Sequence, residues 1–433
     1  MKLKNVLSFH EFMALHLLLP GERRRIVLEQ ENTSAKRTPL PYKGFLLTLV
    51  IACAAYIILS FVPHVAPDFL PYSTVSSEAG HSLFYKLIWF VQDFTNAQFY
   101  ASLFAGLGLV LGAFIAFSLN SSKKRSGGFV IAYTYKIFPW VFAAQILSLI
   151  ISDLLYTPLL DSTNMGWIPT FIPFVSVPVI VILEYGPSVV NVLTGAILTG
   201  ILATPLGTVI NKYVLSPAGL PVVAANVFTM SILGIIVLEA CRVLPFIKKK
   251  KEFYSDNPGL WGKQYGEAGP AEDLQKPTWF VRRVLADFSE AQFYGNEWAS
   301  GLMLLGVLID WIINPASIYY GNNFLPIVIA AQIISSAVGV FLYYHEWEKG
   351  FYPTFLPVVT IVPGIAGICG GNVVITLLVA VLGGIIAPPL ACYITSKLPK
   401  GLHPMIGNTM SMAVCTTILG AVCKALPFIG IGM

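Results

Sequence analysis

Residues 93–100 read DFTNAQFY, and residues 287–294 read DFSEAQFY, so six of eight letters recur 194 residues later. The octets do not stand alone. AAQI at 143–146 returns at 330–333, IPTFIP at 168–173 returns as YPTFLP at 352–357, and TGILATPL at 199–206 returns as LGGIIAPPL at 382–390. NVFTMSILGIIVLEACRVLPFI at 226–247 returns as NTMSMAVCTTILGAVCKALPFI at 408–429. The blocks keep their order while the register difference drifts only from 194 to 182 residues, which is the signature of a duplicated unit.

What is duplicated is a set of membrane helices. The chain of 433 residues is 56% hydrophobic and 11% charged, with a mean hydropathy of +0.73, whereas soluble domains are about a quarter charged. A large soluble domain is excluded, and the fold class is an all-α polytopic membrane protein. One helix crosses the hydrocarbon core in about 20 residues. On that length the apolar runs predict eleven spans, at 45–62, 97–118, 129–152, 168–185, 188–210, 221–245, 297–314, 324–344, 354–370, 373–394 and 404–427. The N-terminal arm, 1–44, lacks an apolar core followed by a small-residue cleavage site and reads as a cytosolic arm with an amphipathic helix.

Basic residues set the sides. Arg23 to Arg25, the Lys123, Lys124 and Arg125 loop, and Lys248 to Lys251 followed by Arg282 and Arg283 all fall on one side when the spans are counted. The positive-inside rule makes that side, and the N-terminus, cytoplasmic. After an extra helix at 45–62, the first repeat covers 91–247, a polar linker covers 248–285, and the second repeat covers 286–433. Five spans per unit is an odd number, so the second copy enters the membrane from the opposite side. Inverted repeats of this kind place a transport path at their interface. Pro169, Pro173 and Pro178 interrupt span 168–185, and Pro353, Pro357 and Pro363 interrupt 354–370, so each is a broken or re-entrant segment.

Polar residues inside such spans should face protein or water. Gln98 and Gln292 occupy equivalent places near span starts, followed by Phe99 with Tyr100 and by Phe293 with Tyr294. An amide both donates and accepts, which suits a small neutral polar solute; an interfacial helix start with an acidic residue is the structural alternative. Among ionisable groups, Lys136, Glu184, Glu239, Asp310 and Asp153 fall in or near spans. Glu184 has Ile368 as its counterpart and, with Lys136, is a candidate for ion coupling, an interfacial residue at a short loop being the alternative for Glu184, while Glu239 and Arg242 are spaced to pair on one helix. Six scattered cysteines lack CxxC spacing and read as small hydrophobes, not metal ligands. No GxSxG, HExxH or Walker motif occurs, so neither an enzyme nor an ATP-driven pump is indicated, and no cofactor is expected. The basic residues cluster beside spans, which points to lipid and not to nucleic acid.

SEAQFYGNEWASGLMLLGVLI at 289–309 and NAQFYASLFAGLGLVLGAFI at 96–115 resemble the glutamine-aromatic segments of urea transporters. Residues 199–236 and 383–419 are similar to the two segments of that family that end in Leu-Pro-x-x-Thr-x-Pro-Phe. The resemblance covers about half of each repeat and implies two inverted five-helix repeats, a homotrimer, and pore-lining roles for Gln98 and Gln292. The signature threonine does not carry over: Ala224 stands there in LPVVAANVF at 220–228, and Gly407 in LHPMIGNTM at 402–410. Asn226 and Asn408 follow closely and are candidates to hold a neutral ligand in its place, with helix capping as the alternative.

The expectation is a permease or channel of a bacterial plasma membrane, passing a small uncharged, urea-like or amide-like solute. Its path would run by Gln98, Asn226, Asn408 and Gln292. An ion-coupled carrier of a larger or charged metabolite, and a non-transporting membrane subunit or enzyme, are the other readings.

Overall fold

The computed structural model describes residues 39–65, 69–161, 167–250 and 274–425. Within these the chain is helical, with no β-strand. The N-terminal arm's amphipathic helix, predicted within 1–44, lies almost wholly outside the described residues, as does most of the linker.

The first half contributes α1 (Tyr42–Phe61), α2 (Tyr72–Glu78), α3 (Leu83–Asp93), α4 (Leu103–Ser121), α5 (Phe138–Tyr156), α6 (Ile172–Val175), α7 (Val177–Tyr185), α8 (Val189–Val209) and α9 (Val222–Val243). The second contributes α10 (Pro277–Ala286), α11 (Glu297–Ile313), α12 (Leu325–Leu342), α13 (Tyr344–Trp347), α14 (Val362–Ile368), α15 (Val373–Lys397) and α16 (Met405–Ala425). Nine helices among the described residues are long and apolar enough to cross a membrane.

Nine of the eleven predicted spans fall on these helices. The remaining two predicted spans are short apolar helices, Ile172–Tyr185 and Pro357–Ile368. The first breaks between α6 and α7 at Ser176 (φ −148°, ψ −83°), with Pro173 and Pro178 opening the two pieces. In the second, a π-helical turn over Pro357–Ile361 runs into α14, where Pro363 sits in the first turn. A proline cannot donate its ladder hydrogen bond, so these turns lose regular pairing. Both segments are buried continuously, over 168–184 and 352–366, which is where broken backbone at membrane depth is tolerated.

The octets are not the starts of long helices either. Each lies where a short helix ends and forms a 3₁₀ turn, Asn96–Gln98 after α3 and Asp287–Gln292 after α10. Phe99 (φ 67°) and Phe293 (φ 64°) then adopt the left-handed conformation, and Ala101 (φ 45°) and Gly295 (φ 51°) repeat it two residues on. Side chains at equivalent positions restart the helices. Ser102 Oγ accepts from Ala105 N at 2.9 Å, and Asn296 Oδ1 accepts from Trp298 N at 2.7 Å. The predicted span 129–152 likewise starts late, at Phe138, because Ala132 (φ 51°) and Tyr133 (φ 63°) turn the chain beforehand.

Residues 277–285, expected to belong to the linker, form α10 together with Ala286. Trp279, Phe280, Arg283 and Val284 share its buried face, and Phe280 packs directly against Gly44 of α1. The matching α3 begins at Leu83.

Packing is reciprocal between the halves. α5 packs on α8 as α12 packs on α15, and α8 packs on α9 as α15 packs on α16. α4 and α11 form the most extensive helix pair, and α9 meets α16. A Cβ on Gly112 would lie 2.2 Å from Trp298 O, on Gly306 2.1 Å from Phe104 O, and on Gly108 2.1 Å from Leu302 O. Later residues of α4 thus meet earlier residues of α11, so the two equivalent helices run antiparallel with their backbones in contact. Ser231 Oγ meets Thr409 Oγ1 at 2.7 Å and Gly234 faces Ile406, giving α9 and α16 the same antiparallel sense. Small residues permit this approach.

Four cysteines, Cys241, Cys369, Cys415 and Cys423, are buried as expected of small hydrophobes, while Cys53 is exposed on α1.

Candidate functional site

A cavity of about 430 Å³ lies where the two halves meet. Its walls come in equivalent pairs: Phe99 with Phe293, Tyr133 with Tyr320, Phe171 with Phe355, Asn226 with Asn408, and Met230 with Met412. The broken segments α6–α7 and Pro357–Ile368 contribute Val175 and Ser176 from one side and Val359 and Thr360 from the other. Aromatic rings and thioethers dominate the surface, with a few polar groups set among them. This is the composition of a site that binds an apolar body and orients it by a small number of hydrogen bonds.

Asn226 and Asn408 line the cavity and are not helix caps. α9 starts at Val222 and α16 at Met405, which places both amides inside the first turns' helical ladder. Asn226 is 6% exposed, and its Oδ1 is buried without a hydrogen-bond partner. Such an oxygen costs about 1–3 kcal/mol until a donor meets it. His403 also faces the cavity, and its Nδ1 accepts from Met405 N at 3.1 Å. Burial pushes the His403 imidazole down to about 3, so it is neutral near pH 7.

The glutamines do not line the cavity. Gln98 Nε2 donates to Gln292 Oε1 at 2.9 Å, and Gln292 Nε2 donates to Gln98 Oε1 at 3.0 Å. Their second amide hydrogens go to Phe288 O at 2.6 Å and Phe94 O at 2.8 Å, again at equivalent positions. Both side chains are fully buried, and the amides expected on a solute path are spent joining the halves. Phe99 and Phe293, which follow them, do face the cavity.

Ala224 and Gly407 also lie off the cavity. Ala224 is buried, and a Cβ on Gly407 would come 2.2 Å from Thr395 Oγ1, so this position packs against α15. A step of two residues rotates a helix by about 200°, which turns Ala224 away when Asn226 faces inward. Lys136, expected inside a span, is exposed in the turn before α5. Glu184 is buried at the end of α7 and receives Lys249 Nζ at 3.2 Å, away from the cavity lining. Glu239 accepts from Arg242 at 2.8 Å on the surface, as its spacing predicted. Asp310 accepts from Ser102 Oγ and, at 3.2 Å, from Phe104 N, so it ties α11 to the start of α4.

Other contacts of the site were not foreseen from the sequence. Tyr294 OH donates to Gln145 Oε1 at 3.1 Å while Gln145 Nε2 donates to Phe174 O at 2.7 Å. Tyr100 OH donates to Gln332 Oε1 at 2.9 Å while Gln332 Nε2 donates to Val358 O at 2.7 Å. Each glutamine of the AAQI blocks therefore holds the octet tyrosine of the other half to a broken segment. Tyr133 OH donates to Glu290 Oε1 at 2.6 Å, and Tyr320 OH donates to Asn96 Oδ1 at 3.0 Å, both at the cavity wall. Behind Glu290, the buried Arg283 donates to Asp287 Oδ1 at 2.8 Å and to Glu290 Oε2 at 3.2 Å, with its guanidinium 4.8 Å from the Trp347 ring. The basic pattern around Arg282 and Arg283 had suggested two cytosolic charges, but helical spacing turns Arg283 inward. The signal available was the repeated AAQI and PTF blocks, whose polar letters recur without an evident surface role.

Comparison of the chain with protein-family models, with curated proteins and with solved structures finds no match.

Proposed function

We propose that this protein is a multi-pass transporter built from two inverted five-helix repeats, moving a small uncharged solute through the cavity between them. One observation carries the reading: the cavity is walled by equivalent residues of both halves, including two Pro-broken segments. That is the arrangement by which inverted-repeat transporters hold a substrate near mid-membrane. The antiparallel pairing of α4 with α11 and of α9 with α16 supports the inverted relation.

The solute class follows from the lining. Pockets of about 300–1,000 Å³ accommodate organic molecules larger than urea, and the aromatic and thioether walls suit an apolar body. The partnerless Asn226 oxygen calls for a hydrogen-bond donor such as an amide N–H or a hydroxyl. The resemblance to urea transporters supports the scaffold, the plasma-membrane location and a trimer, whereas the mutual pairing of Gln98 and Gln292 argues for a different solute from urea.

The test is flux of a panel of uncharged amides, aromatic amides and polyols into proteoliposomes holding the native chain or Asn226→Leu. Flux of an amide with an apolar body, reduced tenfold or more in the variant, is expected. Equal flux in both, or none for any neutral solute, would remove the proposal.

A further inference from the structure

The two octets carry the same aspartate in different electrostatic company. Asp287 is hydrogen-bonded by Arg283 Nη2 at 2.8 Å, Ser336 Oγ at 2.6 Å and Thr354 Oγ1 at 2.8 Å. Its counterpart Asp93 accepts from Thr170 Oγ1 at 2.6 Å, where Thr170 corresponds to Thr354, and from Asn96 Nδ2. At the position of Arg283 the first half has Trp89, whose Nε1 donates to Thr170 Oγ1 at 2.8 Å. The guanidinium is gone.

In its stead stands a second carboxyl. Asp153 of α5 faces Asp93 and Thr170, at the level where α12 carries Val340. Asp153 is 3% exposed, and no donor meets its carboxyl oxygens in hydrogen-bond geometry, the Thr170 hydroxyl being spent on Asp93. Charged or titratable neighbours are few: Lys86 of α3 acts on Asp153 at long range, and the tyrosines Tyr72 of α2 and Tyr320 of the turn Ile318–Gly321 face Asp93. The hydroxyl of Tyr72 is buried without a partner as well. No cation is hydrogen-bonded to either carboxyl among the described residues, and with Lys86 alone to offset them, desolvation and mutual repulsion both favour one shared proton over two carboxylates.

We propose that Asp93 and Asp153 form a one-proton site, in which a single exchangeable proton takes the place that the Arg283 guanidinium occupies in the other half. Binding forms one carboxyl O–H bond that bridges the pair, and release returns both groups to carboxylates with the proton passing to water. Asn96 connects this site to the cavity, since it donates to Asp93, accepts from Tyr320 and itself lines the wall. Solute occupancy and protonation are thereby linked, which makes the transporter proton-coupled. This coupling rests on the solute-cavity reading above, while the proton site does not.

The site is tested without any solute, by infrared titration of the full chain in lipid, following the carbonyl stretch of protonated carboxylic acid. The native chain should show a protonated carboxyl at neutral pH that titrates away on alkalinisation. Asp153→Asn should lower that midpoint by at least one pH unit, a tenfold change in proton affinity, because the neighbouring anion is removed. The Asp93→Asn, Asp153→Asn double variant should abolish the signal, and Trp89→Arg should abolish it while keeping both aspartates. A native chain with no protonated carboxyl at neutral pH would overturn the proposal whatever the variants do, as would a signal unchanged in a double variant that still elutes as a single folded species. A proton site without neutral-solute flux would separate the failure of the transport reading from that of the site.

Discussion

Gln98 and Gln292 hold each other by two reciprocal amide hydrogen bonds of 2.9 and 3.0 Å, across the boundary between the two halves of the chain. The ring of contacts closes through Phe94 O and Phe288 O. Replacing either glutamine with leucine strands the other amide and one carbonyl, at about 1–3 kcal/mol per buried group left unpaired. Thermal unfolding of the single and double variants should therefore be non-additive, with a coupling energy of about 0.5–3 kcal/mol. Additive losses would show that the pair is not a unit.

Gly112 and Gly306 allow the backbones of α4 and α11 to touch. Alanine at either position places a Cβ within 2.2 Å of a backbone oxygen that cannot rotate away. Each substitution should cost about 1–3 kcal/mol by forcing the helices apart. Gly301, with nothing within 4 Å of an added Cβ, is the internal control, and Gly301→Ala should stay within about 0.5 kcal/mol of the native melting stability.

Asn226→Leu should separate stability from binding. Removing a buried oxygen that lacks a partner should raise thermal stability, by about 1 kcal/mol. The same change should weaken solute binding. A variant that is less stable and binds as before would mean that a protein group, not the solute, uses this oxygen.

Arg283 is the only cation hydrogen-bonded to Asp287 and Glu290 among the described residues. Arg283→Met keeps much of the stem but leaves two buried carboxyls uncompensated, a loss of about 3–5 kcal/mol in typical buried pairs. Expression and melting of Arg283→Met against the exposed neighbour Arg282→Met would measure it. Equal effects would contradict the inward assignment.

His403 predicts a pH dependence with a definite sign. Its folded-state value of about 3 lies below the ordinary 6.5, so the unfolded chain binds the extra proton between those limits. The contribution is fully present above about pH 6.5 and is lost as pH falls, at up to roughly 1.4 kcal/mol per pH unit. His403→Gln should flatten that part of the stability profile. An unchanged slope would show that acid acts through other groups.

Much of the architecture was legible in the sequence because helix length, hydropathy and repeated words are local properties. The apolar runs predicted where the long helices fall, although those expected at 97–118 and 129–152 start later, at Leu103 and Phe138; the prolines of 168–185 and 354–370 predicted the two broken segments, and the ordered blocks showed which residues correspond. Asn226 and Asn408, singled out from position alone, line the cavity. Which polar groups meet was decided only by tertiary structure. Gln98 and Gln292 looked like solute ligands because an amide in a membrane needs a partner, and nothing local reveals that each is the other's partner. Arg283 read as a cytosolic charge until α10 packed it beside Asp287. Asp93 and Asp153 are 60 residues apart in the chain, and their juxtaposition depends on how α3 meets α5. Hydrogen bonding and charge pairing act over a few ångströms of space, whereas the sequence orders residues along the chain, so the helices could be read from one dimension and the site needed three.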